Sequence, residues 1–155
     1  MAYAVALDPG GTTGVCLVQS GNNPWNITVF HLEGEHHRIL LRFLLATKPE
    51  FIICESFENQ GNLGALLKPC EYIGIVKLYA QDTIGVKGVW QSASTGKGFF
   101  SDDRLKQIGL YADGLKHARD ATKHYLYWRC FTQKDHSILR GPTKGKVQRL
   151  PNLPH

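Results

Sequence analysis

Two apolar runs, residues 4–8 (Ala-Val-Ala-Leu-Asp) and 13–19 (Thr-Gly-Val-Cys-Leu-Val-Gln), flank a four-residue turn, Pro9-Gly10-Gly11-Thr12. Runs this apolar, joined this tightly, commit the chain to a buried antiparallel strand pair. Asp8 closes the first run. A carboxylate where a buried strand meets a glycine turn is costly unless a cation stands opposite it. A divalent metal held by hard oxygen ligands supplies that cation; a plain hairpin with Asp closing its turn is the simpler alternative. Further carboxylates on the same sheet favour the first.

The chain of 155 residues suits one domain with a real core. No apolar run approaches the roughly 20 residues of a membrane span. The sequence enters a strand at once, without a basic flank or small-residue cleavage site, so no signal peptide and a cytoplasmic location are expected. Cys16, Cys54, Cys70 and Cys130 form no C-x-x-C pair, which argues against zinc; Cys16 and Cys54 read as small strand hydrophobes. His31, His36 and His37 lack a companion ligand pattern and are expected at the surface. Charge divides unevenly: residues 1–77 hold 5 Lys/Arg against 7 Asp/Glu, and residues 78–155 hold 13 against 6. A basic half joined to an acid-bearing half points to a polyanionic partner met by carboxylate-bound metal.

Residues 26–32 alternate as a third strand, after the Asn22-Asn23-Pro24 turn. Residues 35–47 place Ile39, Leu40, Phe43 and Leu44 at helical spacing, and Lys48-Pro49 ends that helix. Residues 51–55 (Phe-Ile-Ile-Cys-Glu) form a continuous apolar run, a strand buried on both faces, which again ends in an acid. Residues 56–67 read as loop or weak helix, 70–79 as a helix and 84–89 as the last strand. The face of Tyr72, Ile73 and Val76 serves either the core or a partner subunit. Residues 91–98 (Gln-Ser-Ala-Ser-Thr-Gly-Lys-Gly) read as a flexible polar loop. A short helix follows from Ser101 or Asp102 to about Leu110, then a final helix from Asp113 or Gly114 to about Cys130. One domain over 1–132 and a basic, flexible tail over 133–155 are expected.

Asp8 and Glu55 each end a strand, and the carboxyl ends of strands in an open sheet are where ligands gather. On the last helix His117 and Asp120 are i, i+3 neighbours on one face. Small Ala118 and Ala121 let that helix approach the sheet closely. Three acids from strand, strand and late helix are much harder to explain structurally together than singly.

The order β-β-β-α-β-α-β-α, a mixed α/β sheet with helices on both faces, is the ribonuclease H-like order. Asp8-Pro9-Gly10-x-x-x-Gly14, Glu55 closing an apolar strand, and His117-Ala118-Arg119-Asp120-Ala121 together resemble the RuvC-type Holliday junction resolvases, especially the shorter phage versions. The resemblance spans roughly residues 3–130. It implies a ribonuclease H-like fold, a homodimer (in the host cytoplasm if phage-encoded), and Mg²⁺- or Mn²⁺-dependent hydrolysis of two phosphodiesters in a four-way DNA junction, a role in recombination and repair. Carried over, the catalytic and metal-holding set is Asp8, Glu55, His117 and Asp120, with two ions per active site that activate a water and stabilise the leaving 3′ oxygen. Many relatives have Asp where His117 stands, and nitrogen is a softer ligand than carboxylate, which puts the choice between Mg²⁺ and Mn²⁺ in question.

Candidate DNA contacts are Lys97 in the Gly-Lys-Gly loop, Gln91 and Ser92 at its start, Phe57 and Phe99 for base stacking, and Arg104, Lys116, Arg119 and Lys123 for phosphates. For the lysines and arginines an ordinary exposed base is the alternative, and for the phenylalanines a buried ring. Asp-x-Gly-Thr-Thr also resembles the phosphate hairpin of sugar kinases and actin-like ATPases, which need two lobes where this length supplies one. A broader ribonuclease H-like nuclease on branched DNA or RNA–DNA hybrids, and a non-catalytic nucleic-acid-binding module of the same fold, remain alternatives. A binding module gains nothing from crowding anions near phosphate.

Overall fold

The computed structural model describes residues 2–56, 63–140 and 145–152. Six strands form one sheet in the order β5-β4-β1-β2-β3-β6. They are β1 (Ala2–Asp8), β2 (Thr12–Gln19), β3 (Ile27–Glu33), β4 (Phe51–Ser56), β5 (Lys87–Ser92) and β6 (Val147–Arg149). β1, β2 and β3 pair antiparallel, whereas β4 runs parallel to β1, β5 parallel to β4 and β6 parallel to β3. Among the described residues five α-helices accompany them: α1 (His37–Thr47), α2 (Leu63–Asp82), α3 (Ala93–Phe99), α4 (Asp102–Gln107) and α5 (Lys116–Tyr127). A π-helical turn over Trp128–Thr132 continues α5.

Strand alternation divides the core in two. Val5 and Leu7 of β1, with Ile52 and Cys54 of β4, join Leu40 and Leu44 of α1 and Tyr72, Ile73 and Val76 of α2. That face of α2 is therefore core. Ala4 and Ala6, with Cys16 and Ile53, join Ala118 and Ala121 of α5 on the opposite face. On this face the sheet presents small residues, Ala4, Ala6 and Cys16, to the alanines of α5, and α5 comes very close. Gly14 shows how close: a Cβ there would lie 2.0 Å from the carbonyl carbon and oxygen of His117.

Several local expectations shift. Residues 91–98, read as loop from their Ser, Thr and Gly content, are divided between the end of β5 and helix α3. Packing against α5 overrides weak propensity there, with Gly96 wedged against the backbone of Lys123 and His124. Strand β5 lies about three residues later than its expected place. Within the stretch expected as a basic arm, 147–149 add β6 beside β3, and Ile27 donates to the Lys146 carbonyl at 2.8 Å. His31 and His36 are buried rather than on the surface. His36 shares a 2.6 Å hydrogen bond with Thr13 Oγ1 and stacks on Tyr72 at 4.0 Å.

Gly14→Ala is expected to lower stability by about 3 kcal/mol, read as a lowered Tm, because backbone on both sides must part. Cys16, Cys54 and Cys130 are buried and Cys70 is exposed. Burial pushes the thiols of Cys16 and Cys130 up to about 12 and about 11, and raises Cys54 as well. A thiol reagent should therefore modify Cys70 quickly in the native protein and the other three only on unfolding.

Candidate active site

Asp8 shares its face of β1 with Ala4 and Ala6, and Glu55 shares its face of β4 with Ile53, so period-two alternation aims both acids at α5. Leu7 pairs with Cys54, which sets the two acids in neighbouring register. The face of α5 that meets them carries His117 and Asp120. His31 on β3 fixes the start of this helix: its Nε2 accepts the Ala118 N–H at 3.2 Å, a cap supplied from across the sheet. Burial, and then the charge of His117, lowers the His31 pKa, in the direction that suits a nitrogen accepting a hydrogen bond.

The three carboxylates Asp8, Glu55 and Asp120 are 5%, 4% and 7% exposed. They surround one ammonium. Lys97 Nζ lies 2.9 Å from Glu55 Oε2, 3.6 Å from Asp120 Oδ2 and 3.9 Å from Asp8 Oδ1. The lysine reaches them from α3, the segment read as a loop. Burial lowers its pKa, but Asp8, Glu55 and Asp120 outweigh that and raise it.

Each acid also has a partner of its own. His117 Nδ1 donates to Asp8 Oδ2 at 3.0 Å. Burial raises the Asp8 carboxyl, opposed by His117 and reinforced by Glu55. The His117 imidazole is raised in turn, by the Asp8 hydrogen bond above all. Lys123 Nζ donates to Asp120 Oδ1 at 3.2 Å and pairs with Asp102 at 2.8 Å. His124 lies between two partners, with Nε2 2.9 Å from Glu55 Oε2 and Nδ1 2.7 Å from Gln91 Oε1. Burial alone would raise the Glu55 carboxyl; hydrogen bonds from His124 and Lys97 outweigh it and bring it down to about 2.

The expected catalytic set Asp8, Glu55, His117 and Asp120 is therefore brought together. The expected DNA contacts divide. Lys116 is exposed and Lys97 faces the acids. Lys123 is buried, and Arg119 is tied to Asp102 at 3.2 Å and to the Ala112 carbonyl at 3.0 Å. Gln91 is buried against His124, and Ser92 Oγ contacts Thr95 Oγ1 at 2.8 Å. Phe99 is half-buried against Phe131, with the Arg104 guanidinium 4.6 Å from its ring centre. Phe57 lies outside the described residues. Sequence reasoning missed His124 and His31. His124 had a signal, for it stands at i+7 from His117 and i+4 from Asp120, on the same helix face. His31 had none, because its role exists only across the sheet.

The donor set fits a hard divalent cation: three mostly buried carboxylates, with an imidazole at the edge, already share one positive charge. Among the described residues no group of three His, Cys, Asp or Glu side chains is gathered into a ready metal cage. The acids stand around Lys97 instead.

In metal-free protein, ionised Glu55 binds its proton less readily folded than at its ordinary value of 4.5. It contributes stability that is fully present above that value and is lost as pH falls toward about 2. Asp8, with a raised carboxyl, works in the opposite sense. Glu55→Gln should therefore show a shallower loss of denaturation midpoint than wild type across this acid window, measured in chelator.

No protein-family model and no curated sequence matches the chain. Solved structures do. RuvC of T. thermophilus in complex with a Holliday junction substrate aligns with TM-score 0.64 and 16% identity, over 85% of this chain and 95% of that one. A second structure of Thermus thermophilus RuvC aligns with TM-score 0.57 and 20% identity, over 86% and 96%. The Fowlpox virus resolvase, in complex with Holliday junction DNA, aligns with TM-score 0.53 and 12% identity, over 86% and 98%. The expected architecture is thus the observed one: a mixed α/β sheet with helices on both faces, in the ribonuclease H-like fold of RuvC and the fowlpox resolvase.

Proposed function

We propose that this protein is a metal-dependent endonuclease that hydrolyses phosphodiesters in four-way DNA junctions, acting as a homodimer that makes symmetric paired nicks. The observation that carries this reading is the convergence of Asp8, Glu55 and Asp120 from β1, β4 and α5 on one cation, with His117 beside them. Crowding buried acids where a polyanion docks makes sense for cleavage and not for binding alone. The aligned RuvC and fowlpox structures, both holding Holliday junction DNA, support the choice of substrate. The excess of basic residues in the second half of the chain supports a polyanionic partner.

Asp8, Glu55 and Asp120, with His117, would hold Mg²⁺ or Mn²⁺, two ions per site. Bound there, such ions supply an activated water and charge stabilisation at the leaving oxygen. The chain's own groups do the rest. Lys97 offsets part of the charge of the three acids and, with a side chain about a third exposed, also reaches a phosphate laid across the pocket. The His117 side chain is 43% exposed and holds a proton at Nδ1 against Asp8, so it is the member of the cluster nearest incoming substrate. Lys123 keeps Asp120 in place through a 3.2 Å hydrogen bond. Exposed Lys116, at the start of α5, would contact backbone phosphate. Among the described residues no helix is long and apolar enough to cross a membrane.

Immobile and mobile four-way junctions, splayed arms and RNA–DNA hybrids, each with Mg²⁺ or Mn²⁺, form the decisive assay. Paired symmetric nicks on junctions are expected, lost by at least about a thousandfold in Asp8→Asn while junction binding persists. Equal cutting of every branched or hybrid substrate would mark a general nuclease. Tight binding without cutting in either metal would reduce the protein to a binding module.

A further inference from the structure

We propose that His124, seated on Gln91, is a positioning residue that fixes the Glu55 carboxylate for metal binding and cleavage without touching DNA. The inference rests on the reading above for the role of Glu55. A position with no exposure at all normally takes an apolar side chain, since burying an imidazole is costly unless its polar atoms are matched. Here they are matched in series. Gln91 Nε2 donates to the His124 carbonyl at 3.3 Å, which turns Gln91 Oε1 toward the ring. An amide oxygen only accepts, so His124 Nδ1 donates to it at 2.7 Å and the ring plane is set. Nε2 then points at Glu55 Oε2, 2.9 Å away.

The relay joins three elements: β5 through Gln91, α5 through His124 and β4 through Glu55. Glu55 and Gln91 are direct partners in the parallel pairing, so both ends of the relay stand on adjacent strands. Gly96 of α3 closes it from above, because a Cβ there would lie 2.8 Å from the His124 backbone nitrogen. Lys97 holds the same oxygen of Glu55, but its side chain is about a third exposed and belongs to a short helix, whereas that of His124 is wholly enclosed. His124 is the fixed hold and Lys97 the exchangeable one.

The test uses the full chain and two readouts, Mn²⁺ binding followed by electron paramagnetic resonance without DNA, and single-turnover junction cleavage. His124→Phe is expected to weaken Mn²⁺ binding and slow cleavage by about 10- to 100-fold each, with junction affinity in Ca²⁺ held within about twofold. His124→Gln, whose amide nitrogen reaches the place of Nε2, should recover most of both. A folded His124→Phe that binds Mn²⁺ and cleaves as wild type does overturns the proposal. So does equal loss in the Phe and Gln variants, which would mean packing alone. If His124→Phe does not fold, Gln91→Leu decides: weaker Mn²⁺ binding supports the relay and unchanged binding overturns it. Wild-type protein that binds Mn²⁺ yet cuts no nucleic acid would end the nuclease reading alone, since the Mn²⁺ arm reads Glu55 without cleavage.

Discussion

Three carboxylates buried within reach of one another repel strongly, and everything around the pocket offsets that repulsion. Lys97 stands among them, and His117, Lys123 and His124 each hold one acid from its own side. The arrangement separates the acids electrostatically. Glu55, with Lys97 and His124 on one oxygen, stays ionised far into acid, whereas Asp8, raised by burial and by the charge of Glu55, holds its proton more readily than usual. A divalent cation would find one carboxylate fully prepared and another that gains from its arrival.

That pocket exists because α5 lies so close to the sheet. Alanines on both sides and Gly14 beneath His117 remove the side-chain layer that ordinarily separates a helix from a strand pair. Close approach lets Asp120 and His117 reach acids on β1 and β4 directly. It also explains the cap from His31, since at ordinary helix–sheet spacing a β3 side chain would not reach the Ala118 N–H. The helix that brings His117 and Asp120 to the strand acids is thus located by the smallest residues in the chain.

The basic residues of α4 and α5 show why charge composition is a poor map of a binding surface. Arg119 and Lys123 turn inward to Asp102 and Asp120 and build the site, while Lys116, a few residues away, stays in solvent. Helical periodicity allows either outcome. Which residue faces which neighbour depends on where α4 packs, and a short helix such as Asp102–Gln107 carries too few residues to announce its own placement.

The order of strands and helices was legible along the chain, because alternation and helical spacing are local properties, and Asp8, Glu55, His117 and Asp120 were legible because each closes or faces a recognisable element. The helical state of α3, the sixth strand after the chain's return to β3, the inward turn of Lys123 and the roles of Gln91, His31 and His124 were not. Each of these depends on a contact between residues distant in sequence: Gly96 with His124, Lys146 with Ile27, Ala118 with His31, His124 with Glu55. The sequence by itself determined which residues carry acid and which strands are buried, since side-chain chemistry and periodicity are written locally. Only the tertiary structure decided how those acids are held, because burial, hydrogen bonding and charge pairing exist only once distant segments share one low-dielectric space.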